Sequence, residues 1–210
     1  MTRLLSLLCL LILALPGGGQ AQPRLPALFA VVDVAADDRL NIRAAPTSGA
    51  QILGSFGPTE DGIEVIRLTD DTRWGQVNLR DGAGWVYMRY LEEMPVSAGP
   101  LPPIRACFGT EPFWSLTRES PDSYAYSTPD RAPLPLLTDF EAPAPGGGTF
   151  ALSASAPSVQ VTGVIRREIC SDGMSDRAYG LSVALVLWQL GEDGESYALQ
   201  TGCCRLQAVD

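Results

Sequence analysis

The chain has neither lysine nor histidine; all fifteen basic residues among its 210 are arginine. That absence removes Ser-His-Asp and Cys-His catalysis, Schiff-base lysines and imidazole metal ligands in one step. Arginine is no substitute, because it stays protonated and makes a poor general base. Positive charge is scarce as well, with a formal net charge of −9. So acidic a protein repels a polyanion, which argues against nucleic acid as a partner. Long apolar runs are missing too. The longest, residues 4–15, has twelve residues, short of the roughly 20 that span a bilayer.

That short run explains the compartment. Arg3 precedes it, Pro16-Gly17 break it, and Gly19-Gln20-Ala21 offers small residues at the two positions read by signal peptidase. Residues 1–21 therefore read as a signal peptide cleaved after Ala21. The mature chain is expected to start at Gln22, in the periplasm or secreted, with no stable membrane insertion. Cys9 lies inside the run and lacks the small-residue pattern of a lipoprotein site. Four cysteines remain: Cys107, Cys170, Cys203 and Cys204. An even count in an exported chain reads as two disulfides. A thiolate metal site is the alternative, but no C-x-x-C pair is present and an oxidising compartment disfavours free thiols. Neighbouring strand residues point to opposite faces, so Cys203 and Cys204 should take different partners, which leaves two pairings open.

In Leu40-Asn41-Ile42-Arg43-Ala44-Ala45-Pro46, apolar Leu40 and Ile42 alternate with polar Asn41 and Arg43, the period of a half-buried strand. Pro46 ends the ladder because it has no N–H to donate. Further short strands are expected at 29–34, 50–56, 62–68, 73–79 and 84–87, punctuated by turns at Gly57-Pro58, Asp70-Asp71 and Asp81-Gly82. Trp74-Gly75-Gln76-Val77, Gly84-Trp85-Val86-Tyr87 and Tyr90-Leu91 complete an ordered set that resembles the bacterial SH3 domain over residues 29–93. The resemblance implies a small bent barrel that binds cell-wall peptides or polypeptide segments, with no reaction attached. Its aromatics have two readings. They fill the barrel, the assignment made for Trp85, or they line a groove for an extended peptide. The groove reading names Trp74, Tyr87 and Tyr90, near a mouth formed by the turn at Asp70 and Asp71. The carboxylates there would attract an amine such as that of a diamino-acid stem peptide.

Residues 94–103 carry four prolines and Gly99, a density that favours an extended, stiff spacer. Beyond it, residues 104–210 show no sustained 3.6-residue period. Strands are expected at 113–118, 123–127, 134–140, 149–153, 159–169, 180–190 and 197–207, an antiparallel meander closed into a barrel-like core. Residues 142–148 read as an exposed loop and residues 191–195 as a polar hairpin turn. Three segments stand out: Glu111-Pro112-Phe113-Trp114, the run from Cys170 to Tyr179 that contains D-G-M-S-D, and Gly202-Cys203-Cys204. Together they resemble an uncharacterised bacterial envelope domain. That resemblance implies the pairing Cys170–Cys203 with Cys107–Cys204.

Glu111, Asp172 and Asp176 are the carboxylates to weigh as a hydrolytic or calcium site. D-G-M-S-D lacks the alternating oxygen ligands of a calcium loop. The favoured reading is structural: Asp172 and Ser175 bond the backbone of a tight turn, with Gly173 at positive φ.

The chain is therefore expected to be all-β: an SH3-like barrel (28–93), a proline-rich spacer (94–103) and a disulfide-stapled antiparallel β-barrel-like domain (104–210). The expected function is non-enzymatic binding of peptidoglycan or an envelope protein, with no cofactor and no metal. One alternative is a secreted inhibitor of a wall hydrolase such as lysozyme, for which an acidic surface is suited. A carboxylate-based wall hydrolase is the other.

Overall fold

The computed structural model describes residues 24–95 and 99–206. The leader and its cleavage site lie outside the described residues. The first domain contains β1 (Ala27–Val31), β2 (Leu40–Arg43), β3 (Ile52–Phe56), β4 (Ile63–Val65), β5 (Arg67–Leu68), β6 (Trp74–Leu79), β7 (Gly82–Tyr87), a one-turn 3₁₀ helix (Met88–Tyr90) and β8 (Leu91–Glu93). They form a three-stranded sheet, β4-β1-β8, and a five-stranded sheet, β3-β2-β7-β6-β5. Alternation decides which face is buried. Leu40 and Ile42 of β2 join Phe29, Val31, Ile63, Val65, Val77 and Val86 in the core. Asn41 and Arg43 stay on the outer face, half-buried.

Two expectations change here. The first strand begins two residues earlier than residue 29 and stops at Val31, because Asp33 turns the chain through φ 56°. Asp tolerates this left-handed conformation better than a bulkier residue does. Trp85 is not in the core. Val86 and Gly84 take the inward positions of β7, so Trp85 projects from the outer face and is half-buried. There it sits opposite Gln76, with the Arg67 guanidinium 5.5 Å from its ring centroid.

The second domain is a closed eight-stranded barrel. Its strands are β9 (Ala106–Thr110), β10 (Phe113–Ser120), β11 (Ser123–Thr128), β12 (Arg131–Pro143), β13 (Thr149–Ala156), β14 (Val159–Cys170), β15 (Tyr179–Gly191) and β16 (Gly194–Arg205). Consecutive antiparallel pairs run from β9 to β16, and β16 then closes on β9. Sequence reading places no strand before residue 113, yet β9 is the closing stave. It can sit there because Gly202 has no side chain: a Cβ at Gly202 would lie 2.0 Å from the Phe108 carbonyl oxygen. β12 also runs on through Pro143, leaving a shorter loop than the 142–148 segment suggested.

Both disulfides close this seam. Cys107 and Cys204 face each other across the β9–β16 ladder, 3.9 Å apart at Cα, and bond inside the barrel core. Cys203 points the other way and bonds Cys170 at the end of β14, with 5.7 Å between Cα atoms. Adjacent cysteines on one strand thus staple its two faces.

Among the described residues, side-chain hydrogen bonds tie the two domains together. Asn78 of β6 pairs with the backbone of Ala178: its amide donates to the Ala178 carbonyl at 2.8 Å, and its oxygen accepts the Ala178 N–H at 3.2 Å. Beside it, Arg177 donates to the carbonyls of Leu79, at 3.0 Å, and Arg80. Elsewhere, buried Glu64 of β4 accepts the Leu206 N–H at 3.1 Å. Arg167 donates to the carbonyls of Arg24 and Pro26, at 2.6 and 3.0 Å. Leu101, within the expected spacer, is buried in the core of the second barrel. The spacer thus ends as part of that domain.

Candidate ligand groove

The outer face of the five-stranded sheet carries the candidate site. Trp74 of β6 lies directly opposite Tyr87 of β7, with ring centroids 5.3 Å apart and planes inclined at 56°. Tyr87 in turn meets Tyr90 edge-on at 6.2 Å, because the 3₁₀ turn folds Tyr90 back beside the end of β7. These three rings line an open cleft of about 710 Å³. Tilted and edge-on packing is the arrangement that aromatic quadrupoles favour. The rings leave apolar faces that an extended chain can cover.

The cleft's polar wall differs from the expected one. Asp70 and Asp71 do not line it. Asp71 is committed to its own turn: Oδ1 accepts the Thr69 hydroxyl at 2.6 Å and the Arg73 N–H at 3.1 Å, while Oδ2 takes the Arg73 guanidinium at 2.6 Å. The Thr69 hydroxyl, then the Arg73 amide and guanidinium, hold the Asp71 carboxyl down at about 2. Asp71 therefore acts by positioning Arg73, which does line the cleft. Thr72 at φ 58° makes that turn tight, a strained choice for a β-branched residue.

The acidic residues that do line the cleft are Asp33 and Asp38, on the loop between β1 and β2. Opposite charge comes from Arg39, Arg43 and Arg73, with Asn41 between them. Arg43 spends one N–H on the Ala50 carbonyl at 2.8 Å, and Arg39 holds the Ser55 hydroxyl at 2.7 Å. Asn41 and Arg43 were within reach of sequence reasoning, since alternation with Leu40 and Ile42 puts them on the face opposite the core. Asp33 and Asp38 were not, because a loop's direction carries no period.

A second cleft of about 620 Å³ lies on the barrel, where Glu111, residues 170–174 and Gly202 meet. The distinctive segments of this domain thus converge in space. Thr110 ties them by donating to the Asp172 carbonyl at 2.8 Å. Asp172 itself is a turn-former. Its Oδ1 accepts the amides of Met174 and Ser175 at 3.0 and 2.9 Å, its Oδ2 accepts the Ser175 hydroxyl at 2.8 Å, and Gly173 has φ 72°. Burial pushes the Asp172 carboxyl up, but the Ser175 and Met174 amides with the Ser175 and Tyr179 hydroxyls outweigh it and hold it below the ordinary value. A carboxylate so held is poorly placed to give up a proton as a general acid. Asp176 is on the side of this loop that approaches Gly82 of the first domain. Among the described residues no cluster of three or more metal-ligating side chains occurs.

The first domain has an SH3-like fold. The sequence model of the bacterial SH3 domain family matches residues 38–92, which span β2 to β8. No curated protein and no solved structure matches the chain. A bacterial SH3 domain is consistent with binding to cell-wall components, and the two disulfides are compatible with a location outside the cytoplasm.

Proposed function

We propose that the protein is a non-enzymatic binder of the cell envelope, exported by its leader, that takes an extended wall peptide into the groove of its first domain. The observation that carries this reading is the row Trp74-Tyr87-Tyr90 beside three arginines and two aspartates. Aromatic faces cover the apolar backbone of an extended ligand. Asp33 and Asp38 would receive an amine, and Arg39, Arg43 and Arg73 would receive carboxylates. A peptidoglycan stem peptide presents both groups along one short chain. The amine therefore goes to Asp33 and Asp38, not to Asp70 and Asp71.

Cosedimentation of the purified chain with peptidoglycan sacculi tests the reading. The wild type should pellet with sacculi, and raised salt should weaken retention, since exposed charges are screened over about 8 Å at physiological ionic strength. Tyr90→Ala should weaken binding by roughly 1–2 kcal/mol, a five- to thirtyfold loss, with the fold intact. A wild type that stays wholly in the supernatant rules out the wall peptide and leaves an envelope protein as ligand.

A further inference from the structure

Strand β16 pairs with β15 in unbroken register from Gly194 to Cys204, but its other side meets β9 only over residues 203–205. The backbone of β9 continues past Gly202 and Thr201, where Gly109 would bring a Cβ within 2.5 Å of the Thr201 carbonyl oxygen. From Gln200 back to Gly194, no strand lies on that side among the described residues. Such an edge is a template for another strand, and monomeric proteins guard it with lysine, proline, bulges or short length. This edge has none of those guards, and Glu195 is its single charge.

The side chains beside the edge are equally uncovered. Tyr197 and Leu199 are 69% and 71% exposed, and they stand next to Trp188 and Val186 on β15. An apolar surface two strands wide thus runs out to an open row of backbone donors and acceptors. We propose that β16 pairs antiparallel with β16 of a second copy of this chain, centred on Tyr197, so that the two barrels share one continuous sheet.

Register suits a second copy, and the one charge on the edge does not oppose it. A twofold axis perpendicular to the sheet keeps outer faces together, so outward residues must oppose outward residues. With β9 ending the free edge at Gln200, the symmetric ladder over residues 194–200 has Tyr197 at its centre. Tyr197 then meets its own counterpart, an aromatic cross-strand pair. Each Glu195 falls opposite Leu199 of the second copy. The two Glu195 positions are four residues apart along the strands, about 13 Å at strand rise, which exceeds the Debye length of about 8 Å. The dimer would carry two SH3-type grooves, which raises retention on a polymer through effective concentration.

Sedimentation velocity of the mature full-length chain over a concentration series, with hydrogen exchange on the same samples, tests this pairing. The wild type should shift from monomer to dimer, and amides in residues 194–200 should gain protection with concentration. Because both copies are acidic, added salt should strengthen the dimer, the opposite of its effect in the groove. Tyr197→Lys places two like charges on the axis, and Leu199→Glu places one opposite Glu195. Each should weaken the dimer at least roughly tenfold while circular dichroism stays unchanged. A wild type that is monomeric throughout, with residues 194–200 exchanging freely, overturns the proposal and leaves the edge to a strand of another protein. A dimer indifferent to both substitutions places the contact elsewhere and overturns it equally.

Discussion

Asn78→Ala, at a half-buried position near the end of β6, should loosen the junction between the two domains. Its carboxamide makes two hydrogen bonds to one residue, donating at 2.8 Å and accepting at 3.2 Å. Both partners are main-chain groups of Ala178, half-buried against the first domain. Truncation removes two bonds worth about 0.5–1.5 kcal/mol each and leaves an amide and a carbonyl without a protein partner. The expected loss is about 2–4 kcal/mol, or roughly 4–16 °C in Tm for a chain of this size. Asn78→Asp keeps the acceptor and loses the donor, so it should fall between. Calorimetry reads the change as a single transition that splits or broadens once the barrels no longer unfold together. Arg177→Ala removes bonds to Leu79 and Arg80 in the same contact, so the double variant should lose less than the sum of the singles. An unchanged Tm with an unchanged exchange rate at the Ala178 amide would refute the junction as an energetic link.

Other consequences are nearer the core and the groove. Replacing Cys170 and Cys203 by alanine opens a loop of 33 residues, and replacing Cys107 and Cys204 opens one of 97. The chain-entropy model gives about 3.8 and about 4.7 kcal/mol, so denaturant midpoints should fall in that order and reduction should lower both together. Trp85→Ala should cost only about 1–2 kcal/mol, the loss of a half-buried ring under Arg67, against the 3–5 expected for a core tryptophan. Asp71 has its folded pKa depressed, so its contribution to the turn is full above the unfolded value near 3.8 and is lost as pH falls through about 2. A carboxyl NMR titration should therefore show Asp71 ionised at pH 3, and a midpoint near 4 would remove it as the anchor of Arg73.

Much of the fold was readable because period-two alternation is strong where one face is buried. Leu40 and Ile42 announced β2, and the run from Val159 announced β14. The closing strand β9 was not, since Cys107-Phe108-Gly109-Thr110 is short and its place depends on Gly202, nearly a hundred residues away. The same limit governed the groove. Trp74, Tyr87 and Tyr90 are brought together, because their side of β6 and β7 follows from register. Asp70 and Asp71 were assigned by nearness in sequence, while the turn's own hydrogen bonds consume Asp71. Trp85 was assigned inward by size and hydrophobicity. Its parity along β7, one residue before inward Val86, overrides both. The D-G-M-S-D segment reads correctly as a tight turn, but nothing local reveals that the following Arg177-Ala178 docks on the other domain.

The groove is tested most directly by titrating a soluble peptidoglycan stem peptide into isotopically labelled protein. Ring and backbone resonances of Trp74, Tyr87 and Tyr90, with the backbone resonances of Asn41 and Arg43, should move together and saturate. The Trp188 indole on the far barrel should stay still. Shifts confined to the second barrel, or none at stem-peptide concentrations that saturate known wall binders, would contradict the assignment of ligand binding to this groove.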